Sequence, residues 1–338
     1  MLRCSSRHHK TGLRLPDISA LNGTAIANLA EVDGLTVSGG GSSFTGLLDQ
    51  TYGTGAAAAY SVRRLSSSTG ALIRVRRVTG VGNTGNDDEA DFSYDSNNEL
   101  SLNSPISNAD AGVNSTTLGS FLNVGTVSGV TYPDTDSLSN TAEGYCDSWY
   151  DQSGNSNDAT QSTPGGQPQI HGGTVNTDLN TENGKPSLDF DGSNDYFFVS
   201  ISNSASNYSM HAVTQQTSTY GFLFDSTSGR LVLDGRGTGR GVIYRSNWRG
   251  TQHSGTTQQL QSIYAINPSG ESYVNGSQVN SSISYSQIAL GGVTTLMATI
   301  SGTEQIEGSM QEFILHPSDK SSNRTDIENN MNFHYGIY

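Results

Sequence analysis

Cysteine is nearly missing from this chain of 338 residues: Cys4 and Cys146 are the only two, far apart in sequence. Two such thiols exclude a disulfide framework, and both read as free. No stretch approaches the ~18 consecutive apolar residues of a membrane-spanning helix, so membrane insertion is not expected. The basic opening, Met1 to Lys10, lacks the apolar core of a secretion signal. Charge is scarce as well, at 14% of residues beside 33% hydrophobic, which excludes a disordered polyelectrolyte.

Basic residues are the scarcer sign, 17 against 31 acids for a net charge of −14. Arg3, Arg7, Lys10 and Arg14 occupy the first fourteen positions with no acid, which leaves the rest at −18. Such a body repels phosphates, so nucleic acid is not an expected partner. Its acids either recruit divalent cations or keep a crowded assembly soluble. Familiar chemistry is missing too. There is no Gly-x-Ser-x-Gly elbow, and three of seven histidines (His8, His9, His334) sit at or near a terminus. No His/Cys cluster has zinc-ligand spacing.

What the sequence has is turns. Its 40 glycines, with abundant Ser, Thr and Asn, suit a β-protein whose hairpins need positive φ and side-chain turns. Residues 1–44 stand apart as an N-terminal attachment segment. Ile18-Ser-Ala-Leu21-Asn22-Gly23 recurs eleven residues later as Leu29-Ala-Glu-Val32-Asp33-Gly34. Asn-Gly and Asp-Gly between apolar residues are strong hairpin signals. Two such units cannot bury a core alone, so Ile18, Leu21, Ile26, Leu29 and Val32 are expected to dock on a partner or on further copies. Ser38 to Ser43 reads as a flexible Gly/Ser linker.

From residue 45 one large domain is expected. Thr54 to Tyr60, rich in alanine, predicts a short helix capped by Thr54. Ala71–Val78 predicts a strand whose arginines meet the excess carboxylates, and Thr116–Leu122 a short helix. Many short apolar runs follow, among them Tyr196–Ile201, Tyr208–Val213 and Ile306–Leu315, with turn signals between them. Asn323–Tyr335 predicts the clearest helix, with Ile327 and Met331 on one face and Gly336 as its stop. The fold class is mainly β: an antiparallel β-sandwich of jelly-roll type, a few short helices and a C-terminal helix.

Four stretches are candidate sites. Asp151, Gln152 and Asn155 crowd side-chain oxygens and amides into Asp151–Asp158, suited to a sugar or a cation. The same residue types build an ordinary tight turn, which is the simpler reading. Asp189, Asp191 and Asp195 admit Ca²⁺ as a cofactor, although the EF-hand spacing is not met; a hairpin between core strands is the competing reading. Trp248, flanked by Arg245 and Arg249, is a candidate sugar platform or a half-buried core residue. Glu143, Asp147 and Asp151, four residues apart, read as a solvated acidic surface unless another strand supplies a partner carboxyl. Gly235 to Gly241 reads as a hairpin tip, not a phosphate loop.

Residues 50–338 resemble the concanavalin A-like, laminin-G-like domains of tailed-bacteriophage structural proteins. The resemblance rests on Ala58 to Leu65, Ile73 to Arg77, Trp149-Tyr150-Asp151-Gln152-Ser153-Gly154-Asn155, Pro186 to Gly192, and Ile327 to Tyr338, in that order. It implies a non-enzymatic virion protein, assembled in the host cytoplasm and displayed on the capsid or tail. Its partners would be other virion proteins through the N-terminal segment, and a host-surface glycan. Many weak contacts would add up because many copies share one particle. The first half also resembles the β-sandwich catalytic domain of α-L-arabinofuranosidase B enzymes, which implies the alternative of a glycoside hydrolase acting on surface polysaccharide. Those enzymes carry an adjacent Cys-Cys pair at the sugar subsite, and this chain has none. Two carboxyls from different strands converging in a pocket would favour the enzyme; dispersed acids on a flat sheet would favour adhesion.

Overall fold

The computed structural model describes residues 44–338 apart from 80–86, 202–204, 206, 218–221, 227–230, 235–239, 244–257, 267–268 and 285–292, and four short strands before residue 44. The chain forms two compact units, Met1–Phe44 and Thr45–Tyr338. In the first, Ala20–Leu21 pairs with Thr24–Ala25, and Glu31–Val32 pairs with Leu35–Thr36, both antiparallel. The residues between the partners are Asn22-Gly23 and Asp33-Gly34, so the eleven-residue sequence repeat is a repeat of hairpins. Leu21 and Val32 fall on these strands; Ile18, Ile26 and Leu29 lie outside the described residues.

The second unit is a mainly β, antiparallel sandwich with short helices and a terminal helix, as its sequence predicts. Its longest strand, Glu307–His316, pairs with Leu188–Asp191, with Tyr208–Gln216 and with Ala58–Ser61. Glu143–Trp149 pairs with Ala71–Val78 on one side and Gln169–Gly172 on the other. Between the layers lies one aromatic core. Trp149 meets Tyr60 at 5.8 Å and Phe197 at 6.2 Å between ring centroids, and Phe313 stacks on Phe224 at 5.3 Å. Among the described residues a single cluster of buried side chains runs from Leu47 to Tyr335.

The alanine run departs from expectation. Ala58–Ser61 is a strand, with Ala58 opposite Leu315, Ala59 opposite Ile314 and Tyr60 opposite Phe313. All four of its residues are buried. Alanine's advantage in a helix is a few tenths of a kcal/mol per residue, and pairing against a buried ten-residue strand outweighs it.

Other elements form as the sequence predicts. On Ala71–Val78, Arg74 reaches Glu89, Asp91 and Asp110, Arg76 reaches Asp87, and Arg77 reaches Asp88 and Asp136. Leu118–Phe121 is helical, with the Thr117 hydroxyl accepting from the Ser120 amide. The terminal helix Arg324–Tyr335 buries Ile327, Met331 and Tyr335 and stops at Gly336, whose φ of 61° is left-handed. Leu231–Asp234 pairs with Arg240–Ile243, so the glycine-rich stretch connects a hairpin.

Candidate functional site

Directly opposed residues on antiparallel strands project to one face of a sheet. Register therefore assembles a polar row across the sandwich: Arg76 opposite Tyr145, Tyr145 opposite Gln169, Gln169 opposite Asp189. Asp189 in turn lies opposite Ser309. One step along the same strands, Val75 opposes Cys146 and Leu188 opposes Met310, all of them buried in the core. Alternation thus puts the polar set on the outer face.

Over this row lies a cavity of about 570 Å³, with Glu143, Tyr145, Gln169 and Asp189 in its walls. The Tyr145 hydroxyl donates to Glu143 at 2.7 Å and accepts from Gln169 Nε2 at 3.3 Å. Arg76 is held in place by Gln167 (2.7 Å), Asp87 (2.6 Å) and the Pro164 carbonyl (3.1 Å), and its guanidinium lies 5.3 Å over the Tyr145 ring. The end of Leu188–Asp191 and the turn after it add Asp191, Asn194 and Asp195 to the lining.

Two of these carboxyls are protonated more readily than usual. Burial pushes Asp189 up to about 6; a 3.0 Å hydrogen bond from Ser187 opposes this, and the charge of Glu182 adds to it. Burial pushes Asp195 up to about 7, against a hydrogen bond from the Asp191 amide and with the Asp191 charge behind it. Burial also raises Tyr145, as does its bond to Glu143. A carboxyl that titrates near pH 6, sharing a cavity with a second carboxyl, is equipped for general acid–base work.

Asp189, Asp191 and Asp195 do come together in this wall. Asp191 and Asp195 accept from each other's backbone amides, at 3.4 Å and 3.0 Å, and Asp191 also takes the Ser193 amide at 2.7 Å. Among the described residues, no group of three or more His, Cys, Asp or Glu is arranged to hold a metal ion.

The Asp151 turn lies elsewhere. Asp151 accepts from the amides of Ala59, Ser153 and Asn157. Gln152 is 5% exposed; its carbonyl takes the Leu65 amide and Thr69 hydroxyl while its amide donates to the Ser61 and Arg63 carbonyls. Asn155 donates to the Ala56 and Ala57 carbonyls. The turn therefore clasps the Ala58 strand to the body. Trp248 lies outside the described residues.

Of the acids Glu143, Asp147 and Asp151, only Glu143 lines the cavity. A shift of register between Cys146 and Ser148 interrupts the alternation, and Asp147 accepts from Gln167 Nε2 at 3.1 Å. Sequence alone does not mark Tyr145, Gln167 and Gln169 as lining residues. Their signal is the alternation Glu143-Gly-Tyr145-Cys and Gln167-Pro-Gln169, polar residues spaced by two around small or apolar ones.

No family model and no curated protein sequence matches the chain. Solved structures do. A GH54 α-L-arabinofuranosidase soaked with a cyclic sulfate inhibitor is similar over 82% of this chain, with a TM-score of 0.52 and 15% identity. An arabinofuranosidase complexed with arabinofuranosyl-α-1,2-xylobiose is similar over the same share, with a TM-score of 0.51 and 16% identity. The chain spans 62% of the length of each. At this identity the likeness is one of fold. It nevertheless corrects the expectation of a bacteriophage virion protein decorating a capsid or tail: the fold matched is that of carbohydrate-active hydrolases. The expectation that the chain is no enzyme falls with it, because it was drawn from that resemblance.

Proposed function

We propose that the Thr45–Tyr338 sandwich is a glycoside hydrolase domain acting on a polysaccharide, with arabinofuranosyl-substituted chains as the first substrates to test. The observation that carries this reading is the convergence of Glu143 and Asp189, from different strands, on one cavity. Asp189 is the general acid: raised to about 6, it keeps a proton to give to the leaving oxygen. Glu143, oriented by the Tyr145 hydroxyl, is the second carboxyl on the opposite side of the sugar. Two strand steps and two residues separate their Cα atoms, about 12 Å by sheet geometry, which leaves room for a ring between the side chains. Arg76 and Gln169 supply donors for sugar hydroxyls, Gln167 holds Arg76 in place, and Tyr145 supplies a ring edge. Carbohydrate contact thus falls to this groove and not to the Asp151 turn.

The fold likeness supports this reading only at the level of architecture, since the adjacent cysteine pair has no counterpart here. The test is release of reducing sugar from arabinan and arabinoxylan, and of chromophore from an aryl arabinofuranoside. Turnover should fall at least a hundredfold in Asp189→Asn and in Glu143→Gln, with unchanged circular dichroism. Turnover indifferent to both substitutions, or no turnover of any glycan, would sink it.

A further inference from the structure

A second cavity, about 240 Å³, adjoins the first, and Asp189 and Phe190 border both. The polar row runs on into it, since Asp189 opposes Ser309 and Ser309 opposes Gln215. Ser309 is only 3% exposed, and its hydroxyl has no hydrogen-bond partner among the described residues. In the same lining, one carboxyl oxygen of Glu182 is also buried with no partner among the described residues. A buried polar group left unpaired is costly, so such atoms usually mark a place where a ligand or water completes the set. From Arg76 to Gln215 the row crosses six strands, about 24 Å at ~4.8 Å per step. That is the length of several sugar units in line, where a single terminal sugar would need only the first cavity.

We propose that the second cavity is a further sugar subsite, so that the groove holds an internal stretch of a polysaccharide with Asp189 between its two halves. Hydroxyls of the sugar beyond Asp189 would donate to Glu182 and pair with Ser309. The inference rests on the reading of the groove as a carbohydrate site, but not on cleavage there.

The experiment is affinity against chain length, by titration calorimetry of arabinoxylan oligosaccharides from disaccharide to hexasaccharide into the full-length Glu143→Gln chain. Affinity should rise at least tenfold along that series. Adding Ser309→Ala should weaken the hexasaccharide about fivefold, the worth of one hydrogen bond of about 1 kcal/mol, and leave the disaccharide unchanged. Adding Thr217→Tyr, which fills the second cavity from its exposed rim, should abolish the length dependence; circular dichroism checks the fold of each variant. Equal affinity at every length would overturn the subsite and leave the hydrolase reading standing. Length-dependent binding, together with no cleavage of any glycan by the unsubstituted chain, would do the reverse. No binding at any length would overturn both.

Discussion

Arg63 and Glu312 form a bidentate ion pair inside the sandwich, Nε to Oε2 at 2.7 Å and Nη2 to Oε1 at 3.0 Å. The Ser61 hydroxyl and the Tyr335 hydroxyl donate to the same Oε2, at 2.8 and 3.0 Å. One carboxylate therefore ties together the strand at 58–61, the strand at 307–316 and the terminal helix. Glu312→Gln leaves the Arg63 charge buried with no counter-charge, at a cost of about 3–5 kcal/mol. Urea unfolding should show a lower midpoint at unchanged slope. A loss below about 1 kcal/mol would mean that the pair is solvated.

Gln152 acts on stability in the same way. Its alanine variant leaves the buried Leu65 amide without its 2.7 Å acceptor and the Ser61 and Arg63 carbonyls without a donor. Each buried group so stranded costs about 1–3 kcal/mol. The melting temperature should drop by several degrees, while hydrolysis measured well below the melt should stay within twofold.

On the proposed reading, Asp189 should make both rate and stability depend on pH. As an acid raised to about 6, it loses its proton as pH rises through that value, so kcat should fall on the alkaline side with an apparent pKa near 6. Its folded pKa lies above the unfolded value of 3.8, so the unfolded chain releases its proton first. Stability from this group is complete below about pH 4 and is lost between about 4 and 6. Asp189→Asn should make that decline shallower in a pH series of denaturant melts and leave the part that Asp195, raised to about 7, contributes; an unchanged slope would count against Asp189.

His316 works with the opposite sign. Burial lowers it to about 4, against its hydrogen bond to the Gly53 carbonyl at 2.9 Å. His211, whose ring lies 6.0 Å away, is lowered further by burial and by His316 itself. In each case the unfolded chain takes up protons first, so their contribution is present above about pH 6.5 and is lost toward pH 4. His316→Gln keeps a donor for Gly53 and should flatten this acid-side loss. Acid-induced unfolding as steep as in the parent chain would count against the assignment.

Tyr145 positions Glu143 and should not itself react. Tyr145→Phe removes the 2.7 Å hydrogen bond and should lower kcat about tenfold, equivalent to about 1.4 kcal/mol, with KM nearly constant. A change confined to KM would make Tyr145 a binding residue instead.

Local elements were legible because their signals are local. Alternation marked Ala71–Val78, the i,i+4 pair Ile327 and Met331 with Gly336 marked the terminal helix, and Asn22-Gly23 and Asp33-Gly34 marked two hairpins. The Ala58 strand is not legible in the sequence, because alanine favours a helix unless a partner strand is present, and that partner lies some 250 residues away. Asp189, Asp191 and Asp195 were visible as an acidic cluster, but Glu143, Tyr145 and Gln169 acquire meaning only beside them.

By itself, then, the sequence determined a turn-rich β-chain with one large acidic domain and a helical end, since composition and periodicity act over a few neighbouring residues. Only the tertiary structure decided where a site lies. Register between strands distant in sequence set Arg76, Tyr145, Gln169, Asp189 and Ser309 in one row. Burial there, a property of the assembled sheet and not of any segment, is what raises the Asp189 carboxyl above the usual carboxylate range.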